Sequence, residues 1–214
     1  ERINLDPERV DTVRSFAQVT SAPPVRTMPM VILTADVPPM LAVPTTAGTG
    51  SEVGRSGVVT LDVNHRKTVI FSPHLMPNAA ILDPDMTKTM PPFVTAATGF
   101  DALTHCLEAY VAKGDHPMAD GIALEGIRLC ARHLERAVAH GDDLDARGAM
   151  MKAAMMGAVA FQKGLGACHS LAHPLSSEHG MHHGLANALG LPAVVEFNEP
   201  VAAALCYVLG TEGL

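Results

Sequence analysis

The sequence lacks the features of several broad classes of protein. Its 214 residues include 15 Lys and Arg against 22 Asp and Glu, which gives a formal net charge of −7. This acidic balance argues against a nucleic-acid or anionic-membrane partner, because either would need a basic surface. No apolar run approaches the roughly 20 residues of a membrane span. The N-terminal stretch is charged and has no apolar segment of the kind found in signal peptides.

Paired cysteines are also missing. The four cysteines are scattered along the chain without CxxC spacing, which is typical of reduced thiols in a cytosolic protein. Apolar residues make up 48% of the chain and charged residues 17%, a globular composition long enough for one large or two small domains. We therefore expect a cytoplasmic globular protein.

The common glycine-rich nucleotide motifs are absent. Residues 1–39 contain no glycine, and neither GxGxxG nor a P-loop occurs. The first glycine-rich stretch is PTTAGTGSE at residues 44–52, where a turn could bring the backbone close to a ligand. Four hydroxyls there add hydrogen-bond donors, namely Thr45, Thr46, Thr49 and Ser51. An ordinary polar turn after a strand would account for the same pattern, and Lys67 could meet a phosphate or be a solvated lysine.

The pattern of apolar residues changes at Pro91 and Pro92. Before them, short apolar runs at residues 31–33, 57–61, 68–71 and 79–82 predict strands joined by polar turns. After them, the spacing predicts helices at residues 93–112, 117–139, from 142 or 143 to about 163, and from 185 onward. We therefore expect a partial α/β unit in residues 1–90 and a helical unit in residues 91–214.

Histidine is concentrated in one segment. Five of the 11 histidines lie within residues 166–188, and upstream Asp101 and His105 are four residues apart, on one face of a predicted helix. One Asp and three His could hold one divalent ion, a set that suits Fe²⁺, Zn²⁺, Mn²⁺, Co²⁺ or Ni²⁺. His169 and His183 would converge only if residues 174–181 formed a loop that turns the chain back. The alternative is a group of ordinary core and surface histidines.

Taken in order, these motifs resemble the iron-containing (group III) alcohol dehydrogenases. The resemblance extends over residues 40–198 or thereabouts. The matching pieces are PTTAGTGSE at 44–52, LDP at 82–84, PP at 91–92, ATGFDALTHCLEAY at 97–110, GLGACHSLAHPL at 164–175 and HHGLANA at 182–188.

The resemblance implies a dehydroquinate synthase-like architecture, with a partial α/β dinucleotide-binding domain at residues 1–90 and a partial all-helical metal-binding domain at residues 91–214. Four residues match the family's ligands to Fe²⁺, with Zn²⁺ as the alternative ion: Asp101, His105, His169 and His183. His173 matches a catalytic histidine near the nicotinamide. The residues that match contacts to NAD or NADP are Thr45, Thr46, Thr49, Ser51 and Lys67.

The activity implied by the resemblance is hydride transfer between a primary or small alcohol, or its aldehyde, and the nicotinamide, in a cytoplasmic homo-oligomer. Two departures from the family stand out: the Gly-Gly-Gly-Ser turn expected upstream of residue 44 is missing, and family members continue beyond Leu214. The chain therefore looks truncated at both ends. The alternatives are a metal-binding fragment without catalysis and a hydroxyacid–oxoacid transhydrogenase, while the motifs favour the alcohol dehydrogenase branch over glycerol dehydrogenase and dehydroquinate synthase.

Overall fold

Short strands form the first part of the molecule. The structure, a computed structural model, describes residues 30–32, 38–60 and 67–199. Within these ranges the strands are β1 (Met30–Ile32), β2 (Leu41–Ala42), β3 (Ser56–Thr60), β4 (Lys67–Phe71) and β5 (Ala79–Ala80). β4 lies between β1, to which it is parallel, and β3, to which it is antiparallel with Val58 opposite Val69. β2 and β5 form a separate parallel pair.

Five helices follow: α1 (Pro92–Val111), α2 (Pro117–Ala139), α3 (Leu144–Ala160), α4 (Ala167–His179) and α5 (His183–Asn198). Proline in the first turn begins both α1 and α2, where its missing N–H removes no helical hydrogen bond. The Asp143 side chain accepts from the Ala146 N–H at 2.9 Å and so caps α3. The predicted fold class is confirmed: a small α/β part precedes a helical part, although the division into two domains at residue 90 stays a prediction. Among the described residues, each helix is too short or too polar to cross a lipid bilayer.

Small residues let the helices pack closely around α1. A Cβ at Gly126 of α2 would lie 2.5 Å from the Sγ of Cys106, and one at Gly157 of α3 would lie 3.0 Å from the Cβ of His105. Alanines fill much of the remaining core, with Ala102, Ala123 and Ala153 fully buried. Because α1 is enclosed by its neighbours, its inward-facing side chains are held in defined positions.

The segment between His169 and His183 differs from the prediction. His169 and His183 were expected to converge only if residues 174–181 formed a loop, and this condition is wrong, because α4 continues through Pro174 to His179 and only residues 180–182 connect it to α5. Gly180 adopts a left-handed conformation (φ 66°), and the Met181 N–H closes the helix end on the carbonyl of Leu175 at 3.1 Å. A single left-handed glycine therefore reverses the chain, and the proline costs α4 one hydrogen bond without ending it.

The glycine-rich turn packs against the helices. A Cβ at Gly48 would lie 2.9 Å from the Cβ of Thr98 in α1. Gly50 has a positive φ of 62°, and a Cβ there would lie 2.5 Å from the carbonyl oxygen of Ala154 in α3. The missing side chains thus allow the turn to approach two helices, which brings Thr49 beside the helical part of the molecule.

Candidate metal centre

One carboxylate oxygen faces three imidazoles. The Oδ1 of Asp101 lies 3.4 Å from the Nε2 of His169, 3.5 Å from the Nε2 of His183 and 3.9 Å from the Nε2 of His105. One ligand atom each from Asp101, His169 and His183 lie within 4.8 Å of one another. The structure thus brings the four predicted ligands together, with His105 the most distant from the Asp101 oxygen.

Three helices supply these four residues. Asp101 and His105 occupy successive turns of α1, His169 lies near the start of α4, and His183 is the first residue of α5. The rings of His105 and His169 stack with centroids 4.5 Å apart. Asp101, His105 and His169 are buried, whereas the His183 side chain is 32% exposed. The cluster is therefore closed on the α1 side and open beside α5.

A buried glutamate that was not predicted lies behind His169. The Oε2 of Glu108 is 2.7 Å from the Nδ1 of His169, and the Glu108 residue is 1% exposed. Its Oε1 accepts from the Cys168 N–H at 2.5 Å. Glu108 follows His105 by three residues and Asp101 by seven, so helical spacing alone could have placed it on the same face of α1.

An asparagine on α5 was also not predicted. The Nδ2 of the fully buried Asn187 donates to the Oδ1 of Asp101 at 2.7 Å and lies 3.4 Å from the Nε2 of His169. Asn187 comes four residues after His183, on the same face of α5. It therefore holds the carboxylate that the three imidazoles surround.

The electrostatics of the cluster favour a bound cation. Burial would raise the pKa of Asp101, but the hydrogen bond with His169 and the neighbouring imidazoles lower it to about 2. Burial lowers the pKa of His105 to about 4 against the attraction of Asp101. Although burial opposes it, hydrogen bonds with Asp101 and Glu108 raise the pKa of His169 to about 9. One carboxylate and several imidazole nitrogens in this arrangement form a donor set that fits a divalent transition-metal ion. A bound ion would take the place of the proton on the Nε2 of His169.

His173 lies beside the cluster. Its ring stacks on His183 with centroids 5.3 Å apart and meets His169 edge-on at 5.8 Å. Burial, followed by the adjacent His183 and His169, lowers the pKa of His173. All five residues, the four predicted ligands and His173, line one cavity of about 400 Å³.

The cavity lies between the strands and the helices. Ser56, Val58 and Val69 line it from β3 and β4, and Phe161 and Leu165 from the segment before α4. Two serines of α4 also line it, Ser176 and Ser177.

The residues predicted to contact the cofactor are distributed unevenly. Thr49 lines the cavity, whereas Thr45, Thr46 and Ser51 are exposed and lie outside its lining. Lys67 begins β4, and its side chain lies outside the described part of the chain. The assignment of these five residues to a cofactor site stays a prediction.

Comparison with known proteins gives consistent matches. Residues 95–208 match the sequence model of the Fe-containing alcohol dehydrogenase family, C-terminal, and residues 10–84 match that of the iron-containing alcohol dehydrogenases. The 4-hydroxybutyrate dehydrogenase of Cupriavidus necator is 50% identical over 171 residues, covering 78% of this chain and 44% of that protein. The 1,3-propanediol dehydrogenase of Klebsiella pneumoniae is 46% identical over 167 residues, covering 78% of this chain and 43% of that protein. The chain thus spans less than half the length of these relatives.

Solved structures share the fold. The crystal structure of a 1,3-propanediol oxidoreductase superposes with a TM-score of 0.78 at 42% identity, covering 84% of this chain and 49% of that one. The sulfoacetaldehyde reductase of Bifidobacterium kashiwanohense, solved in complex with NAD⁺, superposes with a TM-score of 0.72 at 35% identity, covering 77% of this chain and 45% of that one. With the two family matches, these likenesses establish that the chain belongs to the iron-containing alcohol dehydrogenase family.

Proposed function

We propose that this chain is part of a metal-dependent NAD(P) alcohol dehydrogenase that transfers hydride between a small alcohol, or its aldehyde, and the nicotinamide. In this proposal one divalent ion, Fe²⁺ before Zn²⁺, is held by Asp101, His105, His169 and His183. The observation that supports it most is the approach of three imidazole Nε2 atoms to within 3.9 Å of one buried carboxylate oxygen, on the wall of a cavity. A divalent ion bound there would polarise a substrate oxygen as a Lewis acid.

The side chains around the cavity suit a small alcohol. Phe161, Leu165 and Val58 form an apolar wall on which the carbon chain of the substrate can lie. Ser176 and Ser177 offer hydroxyls on the α4 side. These groups would orient the carbon that gives up hydride and keep water from it, so that the reacting atoms meet in a productive geometry.

His173 is proposed to relay the hydroxyl proton of the substrate or to orient the substrate. It lies on the cavity wall against His169 and His183, and its ring is not needed to complete the ligand set. An imidazole in that place can accept a proton through a ring nitrogen and pass it towards solvent, because His173, although partly buried, keeps part of its surface exposed.

NAD is the proposed cofactor, with NADP as the alternative. An NAD-dependent methanol dehydrogenase of Bacillus methanolicus is 41% identical to the chain over 163 residues, and a solved relative holds NAD⁺. The proposed contacts are Thr45, Thr46, Thr49, Ser51 and Lys67. The relatives extend well beyond the matched region, so the activity is proposed for the whole enzyme of which this chain is a part. We propose that this enzyme is a cytoplasmic homo-oligomer.

Metal analysis and an alcohol panel test the proposal together. Protein purified without oxygen should contain one Fe²⁺ or Zn²⁺ per chain, and His169→Ala should lose both the metal and the turnover of short alcohols with NAD or NADP. His74→Ala is the matched control, because His74 is an exposed histidine in the 3-10 turn Pro73–Leu75, between β4 and β5. Metal retained at the wild-type level in His169→Ala would contradict the ligand assignment.

An NADH titration followed by fluorescence separates the enzyme from its alternative. The chain covers 44% of the 4-hydroxybutyrate dehydrogenase that it matches, and this favours a metal-binding fragment as the second candidate. NADH binding below the millimolar range supports the enzyme, whereas metal binding without NADH binding in that range supports the fragment.

A further inference from the structure

We infer that Glu108 is a positioning residue that orients His169 towards the ion, and that the N-terminus of α4 holds Glu108 in place for this task. The inference rests on the proposed function, because it concerns the same metal site. It assigns a role to a side chain that would not itself touch the ion, the substrate or the cofactor.

The N-terminus of α4 depends on Glu108 for capping. The residue at the cap position is Gly166, which has no side chain to accept from the first N–H groups of the helix. The Glu108 carboxylate, which belongs to α1, accepts from the N–H of Cys168 at 2.5 Å and from the N–H of His169 at 3.3 Å. The partial positive charge of a helix N-terminus favours a carboxylate in this place. These backbone donors therefore determine where the carboxylate lies.

The same carboxylate orients the His169 ring. Its Oε2 lies 2.7 Å from the Nδ1 of His169, and both side chains are at most 2% exposed, so water cannot readily replace either partner. A carboxylate can only accept, so Nδ1 must carry the proton. When an ion displaces the Nε2 proton, the Nε2 lone pair points to the opposite side of the ring, which faces the Oδ1 of Asp101 at 3.4 Å.

Gly166 leaves room for this arrangement. A Cβ at position 166 would lie 2.8 Å from the Oε1 of Glu108, closer than real Cβ contacts. Gly166 has an extended backbone (φ −125°, ψ −152°), so an alanine there would strain the contact with Glu108 and not the backbone. Among the described residues, Glu108 forms an ion pair with His169 alone, at 2.7 Å. The Glu108 carboxylate thus bonds to the N-terminus of α4 and to the imidazole of His169.

The test measures the Kd of Zn²⁺ by competition with a chelator, using the full chain. Glu108→Gln keeps the size of the side chain and one oxygen that can accept from α4, but its amide N–H₂ cannot accept from Nδ1. We expect the Kd to rise about 10- to 100-fold, the usual effect of removing such a partner of a metal-binding histidine. Gly166→Ala should change the Kd in the same direction, because it displaces the carboxylate without removing any hydrogen-bonding group.

Two controls separate orientation of His169 from capping of the helix. Glu125→Gln should leave the Kd unchanged, because Glu125 pairs with Arg128 on the surface of α2. In a His169→Ala background, Glu108→Gln should leave the residual Zn²⁺ affinity unchanged, because its effect passes through the missing imidazole. A Glu108→Gln protein with a lower melting temperature and the wild-type Kd would show that the residue only caps α4, and would overturn the inference.

A measurement on the wild type does not depend on how the variants fold. ¹⁵N spectra of histidine-labelled protein with Zn²⁺ bound should show the proton of His169 on Nδ1 and the ion on Nε2, with the signal assigned by its loss in His169→Asn. The ion on Nδ1 would overturn the inference. If the wild type binds no Zn²⁺, the proposed function itself fails; if it binds Zn²⁺ as tightly as Glu108→Gln does, only the role of Glu108 fails.

Discussion

The first prediction concerns Gly184, the residue after the proposed ligand His183. Gly184 is buried in the first turn of α5, where that helix meets the backbone of α1. A Cβ at this position would lie 2.0 Å from the carbonyl oxygen of Ala97, 2.5 Å from its carbonyl carbon and 3.1 Å from its Cα. All three atoms belong to the backbone of a packed helix, so α5 must move to accommodate Gly184→Ala.

The size of the displacement follows from these distances. Non-bonded carbon and oxygen atoms rest more than 3 Å apart, so the start of α5 must withdraw by roughly 1 Å or more. The Nε2 of His183 starts 3.5 Å from the Oδ1 of Asp101. Since metal–ligand distances tolerate about 0.2 Å of error, a shift of this size removes His183 from a shared ion. We expect Gly184→Ala to bind Zn²⁺ at least about 10-fold more weakly than the wild type.

Gly184→Ala should also change the free energy of unfolding. Overpacking costs about 1–3 kcal/mol, whereas replacing glycine by alanine in a helix gains up to about 1 kcal/mol. The net loss in the free energy of unfolding should therefore be about 0–3 kcal/mol, which lowers the melting temperature by no more than roughly 12 °C. The variant should consequently stay folded at 25 °C while its metal affinity falls.

Gly121→Ala is the matched control, because Gly121 lies within α2 and a Cβ there would meet no atom within 4 Å. This control should gain up to about 1 kcal/mol in the free energy of unfolding and keep the wild-type Kd for Zn²⁺. The assays are urea unfolding of the metal-free protein and chelator competition for Zn²⁺. A Gly184→Ala protein with the wild-type Kd would refute the argument that close contact of α5 with α1 positions His183.

Two further substitutions separate metal binding from stability. Asn187→Ala removes the N–H that donates to Asp101 at 2.7 Å and should weaken Zn²⁺ binding about 10-fold, as measured by chelator competition; an unchanged Kd would contradict a role in holding the carboxylate. Arg147→Met should lower the free energy of unfolding by about 2–4 kcal/mol in urea and leave the Zn²⁺ affinity unchanged, because this buried guanidinium joins α3 to the segments around it. A change in the Zn²⁺ Kd of Arg147→Met would show that the two regions are coupled. The oxygen atoms that accept from Arg147 belong to Met90, Thr95 and Gly141.

Local signals in the sequence account for most of the helix bounds. The bounds of α2 agree with the prediction, and α1 begins and ends one residue before it. Proline at the first turn and an Asp N-cap are interactions within one turn of backbone, so neighbouring residues suffice to predict them. The third helix was predicted to reach residue 163, but α3 ends at Ala160 and continues as the 3-10 turn Phe161–Lys163. Helix ends depend on weak local preferences that packing can override.

The candidate site shows a similar division. Spacing along one helix placed Asp101 and His105 together, because residues four apart share a face wherever the helix lies. Helical spacing also places Glu108 on the face of His105, and Asn187 on the face of His183. The neighbouring sequence, however, does not show whether such a carboxylate or amide is buried against another helix or exposed to solvent. Family resemblance supplied His169 and His183, and their role as ligands stays a prediction that the observed distances make testable.

By itself, the sequence determined that a strand-rich part precedes a helical part, which face of α1 carries Asp101 and His105, and the family to which the chain belongs. Only the tertiary structure decided that Glu108 meets His169, that Asn187 meets Asp101, and that the glycines of the turn at residues 44–52 lie against helices. The physical reason is the number of positions along the sequence that separates the interacting residues. Helical periodicity and capping act between residues a few positions apart, whereas these contacts join residues 50 to 104 positions apart. Those of Gly48 and Gly50 also require that a side chain be missing where the turn touches a helix.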